Sequence, residues 1–154
     1  MKSLAATWII LLTAGCGYHF GHAVDHSEIS VAIFDNLTER RHHELDLTRQ
    51  VIRELAHAGV KIDPKAPVEL RGEIVEIGLP ALAESQTDQV LVGAFSMSVR
   101  CRLVEKATGK VLWEESASGR GSFTDLRGKP VEAARQEAFR EIGSKIAARF
   151  DARW

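Results

Sequence analysis

Residues 89–105 read QVLVGAFSMSVRCRLVE, and this stretch decides the fold. Phe95, Met97, Val99, Cys101 and Leu103 are apolar at every second place, with Ser96, Ser98, Arg100 and Arg102 between them. A period of two belongs to a strand, whose successive side chains point to opposite faces. One face of this strand is core, and the other meets solvent or a partner.

Working outward, KATGK (106–110) is a hairpin loop in which Gly109 supplies a left-handed backbone. VLWEESASGRGSF (111–123) returns as a strand with Val111 and Trp113 on one side and Leu112 on the other. Gly119 and Gly121 are expected to weaken its far end into a twist or bulge. Upstream, VELRGEIVEIGL (68–79) is a further strand. Val68, Leu70 and Ile74 share one parity, while Val75, Ile77 and Leu79 take the other. That switch predicts a bulge near Gly72 to Val75. EISVAIFDN (28–36) alternates Ile29, Val31 and Ile33 and closes on Asp35-Asn36, which is turn chemistry. VKIDPKAP (60–67), with Pro64 and Pro67, is a connector.

Two segments change period. In TERRHHELDLTRQVIRELAHAG (38–59), Leu47, Val51, Leu55 and Ala58 line one face of a helix from about His42 to Ala58. Gly59 sits at the capping position past its end. In KPVEAARQEAFREIGSKIAARF (129–150), Pro130 fits a first turn. Val131, Ala134, Ala138, Ile142 and Ile146 form the stripe expected to be buried, with Phe139 and Phe150 beside it. The order is β-α-β-β-β-α. Four strands and two helices on one face predict an α+β two-layer sandwich. The polar face with Ser96, Ser98 and Arg100 is then left uncovered.

The amino terminus has a different character. Lys2 is the only charge before Cys16, and Leu4 to Leu12 is apolar except for Thr7. The run falls short of the roughly 20 residues a spanning helix needs. Its pattern is that of a cleaved secretory signal. Thr13-Ala14-Gly15-Cys16 reads as a lipobox, with Thr13 where Leu is usual. Residues 1–15 are therefore expected to be a lipoprotein signal peptide. Cys16 is the expected lipidation site, and 16–28 an acylated start and tether. Residues 29–154 then form one domain. Each acyl methylene buried in a membrane contributes ~0.8 kcal/mol. Gly17, where Asp would signal inner-membrane retention, is compatible with the outer membrane. With Cys16 acylated, Cys101 has no partner for a disulfide.

Charge excludes one class. The chain has 20 basic residues, of which Lys2 lies in the signal, so 19 face 21 acidic ones. A formal charge of −2 is no nucleic-acid footprint. His19, His22 and His26, with His42-His43, lack the spacing of a known metal motif. No metal or other cofactor is expected. Asp35, Glu39, Glu44 and Asp46 flank a helix start, where the dipole favours acids. Ser116, Ser118 and Ser122 lack a nucleophile elbow, and Gly128-Lys129-Pro130 is not a phosphate loop. No catalytic residue is expected. Arg100, Arg102, Lys106, Lys110, Arg120, Arg127 and Lys129 are expected to gather on the polar sheet face and its loops, as a solvated face or a patch for phosphorylated or acidic partners.

These segments resemble a known family. CGYHF (16–20), VAIFDNLTERRHHELDLTRQVIREL (31–55), VELRGEI (68–74) and RLVEKATGKVLWEE (102–115) are similar to the LptE lipopolysaccharide-assembly lipoproteins. The shared pattern V-x-I-F-x-N-x-T falls on Val31, Ile33, Phe34, Asn36 and Thr38. The resemblance implies a non-enzymatic outer-membrane lipoprotein that plugs an LptD-type β-barrel, assists its assembly and binds lipopolysaccharide. It implies lipid A phosphates as ligands for Arg100, Arg102, Lys106 and Lys110, though no family motif fixes these four. Two alternatives stay open: a periplasm-facing lipoprotein binding module of another secretion or envelope-assembly system, and a metal-binding or hydrolytic periplasmic protein.

Overall fold

The computed structural model describes residues 28–79, 81–84, 90–124 and 130–151. The strands are β1 (Glu28–Val31), β2 (Asp35–Asn36), β3 (Lys61–Ile62), β4 (Val68–Gly78), β5 (Ala81–Glu84), β6 (Val90–Glu105) and β7 (Val111–Thr124). The helices are α1 (Glu44–His57) and α2 (Val131–Asp151). The signal, Cys16 and the tether expected before residue 28 lie outside the described residues, as do Arg127 and Lys129.

The three long strands β4, β6 and β7 form an antiparallel meander. β1 joins β4 in parallel, with α1 in the crossover between them. The class and chain order match the sequence reading. The sheet is larger than the four strands expected: among the described residues it has seven. The additions are short. β2 pairs with β4, β3 extends the sheet beyond β1, and β5 continues along β6. Pieces of two to four residues carry no readable period, and β3 lies inside the stretch taken as a connector.

The core lies between the sheet and the two helices. β6 supplies Phe95, Met97, Val99, Cys101 and Leu103, all buried as the alternation predicts. The register of β4 on β6 shifts between Ile74 and Glu76, so the predicted bulge is present. Leu47, Val51 and Leu55 of α1 are fully buried. At the end of α1, Gly59 has φ +80. Its N–H donates to Ala56 O at 3.1 Å, and that of Val60 to Leu55 O at 3.0 Å. This is the double-bonded glycine cap that the sequence placed there.

Three expectations need correction. Phe34, not Ile33, is the core residue at the end of the first strand; Ile33 is 61% exposed. The strand breaks after Val31 and resumes at Asp35, which reverses its parity. Val131 is also exposed, because the burial of α2 begins one turn later at Ala134. Gly119 and Gly121 do not interrupt β7, whose register runs unbroken from Trp113 to Thr124. They let α2 lie directly on the strand. A Cβ at Gly119 would fall 2.1 Å from Ala138 O, and one at Gly121 would fall 2.0 Å from Ala134 O.

Candidate functional site

The uncovered face of the sheet is the candidate site. On β6, the places between the core residues send Ser96, Ser98, Arg100 and Arg102 outward. Opposite them, β4 brings Glu73 level with Arg100 and Arg71 level with Arg102, and β7 brings Ser116 and Glu114. Glu73 is the hub. Arg102 bonds its Oε1, and Arg100 Nη1 lies 3.5 Å from its Oε2. Arg100 Nε also lies 3.7 Å from Glu114. Arg71 pairs with Glu69 on the same strand at 2.7 Å. The arginines are thus held in a ladder with acids rather than standing as a bare cationic patch.

Lys106 and Lys110 are not on this face. They lie in the β6–β7 hairpin at its end. Lys106 Nζ donates to Pro64 O at 2.9 Å, and Lys110 has no acidic partner among the described residues. The four predicted ligands therefore form two pairs: a neutralised one on the sheet and a freer one on the loop. Away from the hairpin the same face is lined by small side chains. Ser96, Ser98, Ser116, Ser118 and Ser122 share it with Arg120, whose side chain is exposed.

The I-F-x-N-x-T stretch has a structural role. Asn36 Nδ2 donates to Arg40 O and to Glu44 Oε1, each at 2.7 Å. Its Oδ1 accepts from the N–H and hydroxyl of Thr38 at 2.9 and 2.8 Å. One amide ties the end of β2 to the start of α1. Glu44's own backbone N–H and the Asn36 amide hold its carboxyl below the usual range. Asp46 pairs with Arg49 and reaches Arg135. Glu73 is the residue that sequence reasoning missed. The I-F-x-N-x-T pattern marks Asn36, but nothing along the chain marks Glu73.

His19, His22 and His26 lie outside the described residues. His43 sits edge-on to Phe95 and Phe139 at 5.8 and 6.2 Å. Burial, then the neighbouring Arg135 guanidinium, lowers its pKa. His42 is exposed with φ 73. Among the described residues no three His, Cys, Asp or Glu are grouped to hold a metal ion.

The model of the LptE lipopolysaccharide-assembly family matches residues 27–150. The chain belongs to the LptE family. No curated protein resembles this LptE-family chain closely enough to count as a match. Solved structures share its fold at low identity. A protein from Xanthomonas campestris has a TM-score of 0.62 at 11% identity, over 81% of this chain and 84% of that one. A minor lipoprotein from Acinetobacter baumannii has a TM-score of 0.57 at 11% identity, over 84% and 95%. The CT253 protein from Chlamydia trachomatis has a TM-score of 0.52 at 14% identity, over 79% and 96%. The LptE-family stretch thus starts one residue before β1 and ends one before the end of α2.

Proposed function

We propose that this LptE-family chain is a non-enzymatic outer-membrane lipoprotein. Acylated at Cys16, it plugs and helps assemble an LptD-type β-barrel that carries lipopolysaccharide to the outer leaflet. The observation that carries this reading is the family match over residues 27–150. The physical form supports it. A small domain with one helix-covered face and one polar face suits a barrel lumen, whose wall is polar. Arg100, Arg102, Lys106 and Lys110 are the groups for lipid A phosphates, since guanidinium and ammonium donors bind phosphate through charge-assisted hydrogen bonds. The loop pair engages first, because the sheet pair must give up Glu73.

The test is a mild-detergent pull-down of the full chain from membranes, with mass spectrometry of what is recovered. A large β-barrel protein is the expected partner. Recovery of soluble periplasmic proteins alone would overturn the reading and favour a different envelope-assembly module. Cys16→Ala should release the domain from membranes; persistent attachment would remove the anchor from the proposal.

A further inference from the structure

Strand β7 is an edge of the sheet. It pairs with β6 and, among the described residues, with no other strand. Two bonds show where its remaining backbone groups point. Ser118 O accepts from Lys145 Nζ at 2.7 Å, and Arg120 N–H donates to Glu141 Oε2 at 2.9 Å. Residues of this parity face away from β6, and the strand's period extends the same orientation to Glu114 and Ser116. Lys145 and Glu141, 2.6 Å apart, stand where a neighbouring strand would be. Folded proteins guard exposed edges in this way. The guard covers the middle of β7 only. Nothing among the described residues pairs with the outward groups of Glu114 and Ser116.

At that unguarded stretch a slot of about 230 Å³ opens between β7 and the last turns of α2. Cys101, Trp113, Ala117, Ile146 and Ala148 give it an apolar lining, and Glu115, Ser116, Lys145 and Arg149 its polar one. A volume of this size has room for one apolar side chain. The charges that line it are already matched: Lys145 with Glu141, and Arg149 with Glu115. An occupant therefore meets no unpaired charge and brings none.

We propose that the β7 edge at Glu114 and Ser116 docks an extended, uncharged segment of another polypeptide. The segment adds to the sheet as a further strand and seats one apolar side chain in the slot. Backbone pairing at an open edge supplies affinity, and a pocket for an alternate side chain supplies selectivity. The proposal does not depend on the barrel reading, and its test involves no barrel.

The probe is a capped nine-residue peptide of alternating threonine and valine with a central leucine, titrated into the full chain. Saturable binding is expected, with the amides of Glu114 and Ser116 protected from hydrogen exchange. Ser116→Pro removes an outward donor and leaves the β6 ladder intact. It should weaken binding about tenfold, the loss expected for one hydrogen bond. A peptide N-methylated at the facing position should show the same loss on the unmodified chain, which covers the case in which the proline variant fails to fold. Ala148→Trp should weaken the leucine peptide more than one with a central alanine. Absence of binding at about 1 mM peptide, binding without protection of the two amides, or equal binding of the methylated peptide would overturn the proposal. So would a dimer in sedimentation that Ser116→Pro dissociates, since the edge would then belong to a second copy.

Discussion

Thr48 shows how much one side chain can fix. It lies on the buried face of α1, 5% exposed. Its hydroxyl donates to Glu44 O at 2.7 Å and accepts from Phe34 N–H at 3.0 Å. The bond satisfies the backbone where the first strand breaks and pins the helix to it. Thr48→Val keeps the shape and strands the Phe34 donor, so a loss of about 1–3 kcal/mol is expected, read from urea denaturation. His43 gives a pH effect. Its folded pKa lies below 6.5 through burial and then Arg135, with Glu44, Asp46 and Glu132 opposing. Above that value both states are neutral and it contributes nothing. As pH falls below it, the unfolded chain takes a proton that the fold resists, so stability falls. His43→Gln should narrow the gap in Tm between neutral and mildly acidic buffer. The Cys101 thiol is pushed up to about 12 by burial, then by Glu115. It should stay unreactive toward a disulfide reagent at pH 8 until the chain unfolds, because the thiolate is the nucleophile.

At the scale of elements, α2 lies directly on β7. Gly119 and Gly121 meet the backbone carbonyls of Ala138 and Ala134, which cannot move like a flexible side chain. Gly119→Ala should therefore cost about 3 kcal/mol, the upper end for overpacking, and lower the midpoint of thermal unfolding. Two β7 residues that look like breaks in a strand are what let the helix dock. Gly59 is the opposite case. A Cβ there meets nothing within 4 Å, yet φ is +80. Gly59→Ala should cost about 1–2 kcal/mol through backbone strain alone. Comparing the two variants separates contact from conformation.

For the whole molecule, the division into a covered and an uncovered sheet face matters most. Helices α1 and α2 occupy one face, and the acid–arginine ladder around Glu73 occupies the other. In the proposed role, phosphate competes with Glu73 for Arg100 and Arg102. Glu73→Gln removes that competitor and should strengthen binding of the full chain to lipopolysaccharide severalfold, measured by surface plasmon resonance. Arg102→Gln should weaken it. An unchanged affinity in both variants would move the ligand to Lys106 and Lys110 on the hairpin.

The sequence alone determined what repeats. The period-two run of β6, the parity switch in β4, the apolar face of α1 and the Gly59 cap were legible because each is a local rule of backbone geometry. It also carried the family resemblance, through Asn36 and the residues around it. It did not disclose β2, β3 or β5, which form only because a neighbour offers them hydrogen bonds. Nor did it disclose why Gly119 and Gly121 are small, since the constraint is a helix arriving from residues further along the chain. The partnership of Glu73 with two arginines, and the open edge of β7 beside its slot, depend on which strands become neighbours. Only the tertiary structure decides that, because pairing between distant residues is set by the packing of the whole chain and leaves no period in the sequence.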